Sequence, residues 1–170
     1  LIIIGVVTNV YLQKQKKSLS PEEHIDFITG DVKIQVFYNR PYKKGREIFG
    51  SLVPYGKVWR TGANEATTFE TTKDLTFEGK ILKKGRYTIW TIPAEEVWTI
   101  IFNSEYGQWG IGPDGEANRK PERDVLSLIV HSVQSEREFE QFTISFEKVG
   151  EDAEMVLIWD KTLVAVPFSF

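Results

Sequence analysis

The sequence predicts an all-β domain, an antiparallel β-sandwich or jelly-roll-like fold over residues 31–170, and three observations predict it. From Asp31 onward the pattern has period two, with Val32, Ile34, Val36 and Tyr38 on one face. Short β-branched or aromatic runs then recur, separated by Gly- and Pro-containing turns. No long helical pattern is interleaved between them, which argues against an α/β fold.

The first strand is expected to turn its Val32, Ile34, Val36 and Tyr38 face to the core. Later candidates are Thr67 to Thr71, Leu75 to Glu78, Lys80 to Leu82, Tyr87 to Ile92, Val97 to Asn103, Val125 to Ser132, Phe142 to Val149, Met155 to Asp160 and Thr162 to Phe168. Turns fall at Glu78-Gly79-Lys80, Lys84-Gly85 and Pro93-Ala94-Glu95-Glu96, where Gly supplies positive φ and Pro removes a ladder donor. Trp90, Trp98 and Trp159 lie inside strands and are expected to fill the core. Trp109 lies in the glycine-rich stretch Tyr106 to Arg123, as an exposed stacking surface or as an aromatic that pins a long loop.

Ahead of this domain the run Leu1 to Leu12 is almost wholly apolar and ends at Gln13-Lys14-Gln15-Lys16-Lys17. Residues 1–19 are expected to be part of a transmembrane or signal-anchor helix with a basic flank; twelve apolar residues are fewer than the about 20 that a span needs. Ser20-Pro21-Glu22-Glu23 has the form of a capping box with Pro at the first helical position, so residues 20–30 are expected to be a linker, helical from Pro21 to Ile28, with His24 at the surface.

Composition excludes several chemistries. The chain has 170 residues, 41% of them hydrophobic and 13% aromatic, enough for a packed core. With no cysteine and two histidines, thiolate chemistry and histidine-rich zinc sites are ruled out, and no Asp-rich calcium loop is present. No metal or cofactor is expected. His131 would have to serve any Ser–His–Asp set and no G-x-S-x-G elbow accompanies it. Gly110-Ile111-Gly112-Pro113-Asp114-Gly115 matches the spacing of a dinucleotide loop, but Pro113 and the polar run after it supply no helix to hold a phosphate. An acidic chain does not favour nucleic acid.

Charge is unevenly placed. Residues 31–62 hold seven basic against two acidic side chains, an excess of five, whereas residues 63–170 hold 11 against 19. The basic stretch runs from Tyr38-Asn39-Arg40-Pro41 through Lys43-Lys44-Gly45-Arg46 and Ile48-Phe49-Gly50 to the unbroken run Leu52–Glu65. Glycines and prolines fix its backbone, and arginines present planar forks suited to carboxylate or phosphate. Arg40, Arg46, Trp59, Arg60, Asn64 and Glu65 are the candidate ligand-binding residues. The alternative is that these groups satisfy the backbone of a long ordered connection.

This same stretch resembles a bacterial family, found largely in Bacteroidetes, catalogued as domain of unknown function 2911. The likeness continues through Lys84-Gly85-Arg86-Tyr87, Thr91-Ile92-Pro93, Trp98-Thr99-Ile100-Ile101-Phe102 and the strand of Trp159, covering roughly Ile28 to Phe168. The resemblance implies an exported or membrane-anchored domain, and therefore a periplasmic address. It implies no activity and no catalytic residue. Three roles follow in order of expectation: a binding or accessory module for a small anionic or sugar ligand or an envelope protein partner, a structural subunit of a cell-envelope complex, and a hydrolase using Glu65 with Arg60.

Overall fold

The computed structural model describes Leu12 and residues 14–170, so the apolar run up to Tyr11 lies outside the described residues. Residues 14–19 are helical, and among the described residues no helix is long and apolar enough to cross a membrane. Nine strands follow: β1 (Glu22–Thr29), β2 (Val32–Asn39), β3 (Thr68–Thr71), β4 (Leu75–Phe77), β5 (Lys80–Leu82), β6 (Gly85–Ile92), β7 (Val97–Asn103), β8 (Asp124–Val149) and β9 (Asp152–Phe168). Seven form one antiparallel sheet in the order β1-β2-β3-β6-β7-β8-β9, with β4 and β5 as a separate hairpin.

The sheet becomes a sandwich because β8 changes partner along its length. Asp124 to His131 pair with β7, whereas Ser132 to Val149 pair with β9, with register shifts between Gln134 and Phe139 and between Phe139 and Thr143. Such irregularities bend a strand and carry it from one layer to another. The outer half of β8 therefore lies across the core from β2. Phe27 stacks on Phe146 at 5.3 Å, and Tyr42 bridges Gln141 between the layers. The alternating residues Val32, Ile34, Val36 and Tyr38 face inward as expected, against Phe142, Ile144, Leu157 and Trp159. A second, smaller cluster of Ala66, Trp90 and Ile101 lies apart from the main core, covered by Val58, Ile92 and Ala117. Trp90, Trp98 and Trp159 are all buried, Trp90 in this second cluster.

One expected element is corrected. The linker helix over Pro21–Ile28 is the strand β1, paired with β2 from Glu22–Asn39 to Thr29–Val32. The two-residue loop between them holds Gly30 at φ +55, a conformation that glycine adopts without strain. A capping box stabilises a helix start by about 1 kcal/mol, whereas the strand gains a full ladder and buries part of Ile25 and Phe27 against the core. Tertiary pairing wins. His24 is at the surface, its ring 4.9 Å from that of Phe37.

The contact between layers includes a buried phenol. The Tyr38 hydroxyl accepts from the Ile144 amide at 3.0 Å and donates to its carbonyl at 3.5 Å. Burial pushes the Tyr38 pKa above the usual tyrosine value. Below about pH 10 the phenol is neutral in both folded and unfolded chains; above it the unfolded chain ionises first, so stability falls as pH rises through the folded pKa. Tyr38→Phe is expected to flatten this alkaline decline while costing about 1–3 kcal/mol at neutral pH through the stranded Ile144 amide. Urea midpoints measured from pH 7 to 11 check both effects.

Candidate functional site

The connection between β2 and β3, residues 40–67, is held in place by bonds to its neighbours. Trp59 and Thr91 exchange backbone hydrogen bonds at 2.7 and 3.0 Å, the Trp59 indole donates to the Gly62 carbonyl at 3.0 Å, and Ala63 N donates to the Asn39 carbonyl at 3.3 Å. Thr67 closes the loop from the far side, its hydroxyl donating to the Thr61 carbonyl at 2.6 Å. These bonds hold Thr61 and Asn64 at φ +57 and +56. For a β-branched residue such as Thr61 that is a rare conformation, costing about 1–3 kcal/mol, which persists only where surroundings impose it.

Beside this loop opens a cleft of about 550 Å³. Its floor is aromatic: Trp59 stacks on the buried Trp159 at 6.1 Å and 18°. Its walls are Leu19, Leu52, Val53 and Ile111, and its charged groups are Lys16, Lys44, Arg46 and Arg60, with no carboxylate among the lining residues. The size is that of pockets that hold small ligands.

The basic stretch divides by pairing. Lys33, Arg40 and Lys43 each have carboxylate partners. Arg40 meets Glu23 at 3.1 Å, and Lys43 meets Asp160 at 2.7 Å and Glu138 at 2.8 Å. Lys44, Arg46 and Arg60 make no ion pair among the described residues, and neither does Lys16. Arg46 donates only to the backbone carbonyls of Lys43 at 2.9 Å and Tyr42 at 2.5 Å. Arg60, half-buried, donates to the Trp109 carbonyl at 3.3 Å. Burial pushes the Arg60 pKa below its usual value, with a more distant Glu65 opposing the shift; a guanidinium remains a cation under such conditions. Of the cations in residues 31–62 without an ion pair among the described residues, Lys44, Arg46 and Arg60 border the cleft, whereas Lys57 borders a neighbouring hollow.

The six residues singled out by sequence do not form one cluster. Arg46, Trp59, Arg60 and Asn64 line the cleft. Arg40 is used by the fold: besides Glu23 it donates to the Phe142 carbonyl at 3.1 Å and the Thr143 hydroxyl at 2.8 Å. Glu65 is not among the residues lining the cleft; it accepts from the Asn39 amide at 3.0 Å, with Lys17 at 3.2 Å from its other oxygen. There it borders a second concavity, with His24, Glu70, Arg86 and Tyr106. Asn64 donates to the Asn39 side chain at 3.3 Å and is buried, so it shapes the cleft more than it faces a ligand. Lys16, Lys44, Leu52 and Ile111 were not singled out. Lys44 and Leu52 lay within the singled-out stretch and Lys16 within the basic flank, but no local signal says that the fold brings residues 16, 52 and 111 together.

Among the described residues no group of three or more His, Asp or Glu is placed to hold a metal ion. His131 is exposed on β8 opposite Val97. The Gly110–Gly115 segment is a closed turn, with Gly112 N donating to Glu116 O and Gly115 N to Gly112 O, and Trp109 before it is half-buried.

Fold and site define an antiparallel β domain bearing an open cleft with an aromatic floor and a cationic rim. The chain belongs to the family described as protein of unknown function, DUF2911, whose family model matches residues 20–168, a span that takes in β1. No curated protein and no solved structure matches it.

Proposed function

We propose that this domain is a binding module for a small ligand carrying an anionic group, taken up in the cleft beside residues 59–64. The carrying observation is that Lys16, Lys44, Arg46 and Arg60 converge on a cleft whose lining holds no acid, while Arg40 and Lys43 of the same stretch are paired with carboxylates. A half-buried guanidinium with no carboxylate in ion-pair contact is costly, and an arriving anion offsets that cost. Glu65 is engaged by Asn39 and Lys17 away from the cleft, which favours binding over hydrolysis by Glu65 and Arg60. The apolar N-terminal run Leu1 to Leu12 with its basic flank supports a periplasmic address with the domain tethered to the inner membrane.

The test is titration of the full chain with inorganic pyrophosphate, followed by the NMR shift of the Trp59 indole N–H. A saturable shift in the millimolar range is expected, weakening with added salt. Arg46→Gln removes one charge-assisted contact and is expected to weaken binding about ten- to a hundredfold, since hydrogen bonds to charged groups contribute about 1.5–3 kcal/mol. Its thermal midpoint should stay unchanged, because Arg46 is exposed and bonds only nearby carbonyls. A Trp59 resonance that does not move, or an Arg46→Gln protein that binds equally well, would sink the reading.

A further inference from the structure

The cleft does not end at its cationic rim. Leu52, Val53, Trp59 and Ile111 also line an adjoining hollow of about 260 Å³, whose remaining wall includes Pro54, Val58 and Ala117 together with the charged Lys57 and Glu116. Leu52 is 44% exposed and Leu19, across the cleft, is 55% exposed, which are large values for leucines beside an aromatic floor. A ligand that was only a phosphate or a hydrophilic sugar would leave this apolar surface in water. From the continuity of the cationic cleft with a mainly apolar hollow we infer that the ligand is an anionic amphiphile. One acidic headgroup sits among Lys16, Lys44, Arg46 and Arg60, and an apolar body passes over Trp59 between Leu52 and Ile111.

This inference rests on the reading of the cleft as an anion site and adds the class of ligand. Charge complementarity fixes the head and the sequence of apolar lining residues fixes the direction of the tail. Carboxylate, sulfate and phosphate heads share the required chemistry, whether the molecule is free in solution or drawn from a bilayer.

The experiment is titration of the full chain with inorganic sulfate and with butyl, octyl and decyl sulfate below their micelle concentrations, again following the Trp59 indole. Octyl glucoside serves as the uncharged comparison. Affinity is expected to rise about threefold or more for each added methylene that becomes buried, and octyl sulfate is expected to bind at least tenfold more tightly than octyl glucoside. Leu52→Gln, at an exposed position that tolerates a polar group, should flatten the chain-length dependence. Affinity independent of chain length overturns the amphiphile and leaves the anion site standing. Equal binding of octyl glucoside overturns it too, since the head would then go unread. No shift with any sulfate overturns both readings together. A final arm offers anionic phospholipid vesicles: transfer of a fluorescent phospholipid to the protein identifies a membrane source, and capture of monomeric sulfates without transfer identifies a free one.

Discussion

Replacing Trp159 by alanine is expected to cost about 3–5 kcal/mol, the range for truncating a buried aromatic. Trp159 is 1% exposed, stacks on Trp59, and lies 5.9 Å from Phe142 and 6.2 Å from Phe49. Its indole donates to the Glu140 carbonyl at 3.3 Å, which also accepts from Lys43 N at 2.6 Å, so truncation opens a cavity and removes one of that carbonyl's two donors. Domains of this kind have about 5–15 kcal/mol in total, and the loss therefore removes a large share of the fold. Urea unfolding of Trp159→Ala measures it. Trp159→Phe keeps most of the volume and is expected to lose less than half as much. A loss below about 1 kcal/mol for the alanine variant would mean that the aromatic cluster under the cleft is not part of the cooperative core.

The second large effect concerns Gly110 and joins stability to the site. Gly110 stands at φ +95, and a Cβ there would lie 2.7 Å from Arg60 Cδ and 2.8 Å from Arg60 Cβ. Gly115 has a similar φ of +82, yet nothing lies within 4 Å of its added Cβ. Gly115→Ala is therefore expected to lose only the cost of the left-handed backbone, about 1–2 kcal/mol. Gly110→Ala adds crowding of about 1–3 kcal/mol to that. It should also displace Arg60 and weaken anion binding at least tenfold, while Gly115→Ala binds as the parent does. Equal behaviour of the two variants in both measurements would show that Arg60 is not held by this close approach.

How much of this was legible in the sequence differs by element. The alternation from Val32 to Tyr38 dictates its own outcome, because a one-residue slip would turn every apolar side chain to water. The short β4 and β5 strands and β7 fall where their turns place them. The strand β1 escaped because a capping box is a local signal, while the pairing that overrides it is made with residues up to Asn39. The stretch 124–149 reads as two strands with a gap, and is one strand whose gap is the bend between layers.

The site was partly legible for a related reason. Composition marked residues 31–62 as basic, but which cations remain unpaired depends on Glu23, Glu138 and Asp160, which lie outside that stretch. Glu65 and its neighbour Asn64 both bond to the Asn39 side chain, yet Asn64 borders the cleft and Glu65 the second concavity. No periodicity carries that information.

The bonds that join the two layers also order events in time. Arg40 and its acceptor Phe142 are separated by 102 positions, as Tyr38 and Ile144 are by 106. During synthesis at about 5–20 residues per second, the basic half of the cleft precedes its floor at Trp159 by roughly 5–20 s. Throughout that interval Trp59 has no Trp159 to stack on, and the cleft has no complete floor. A chain interrupted before β9 would carry the charged loop without that floor, so on the proposed binding role occupancy of the cleft would report that the last strand has arrived.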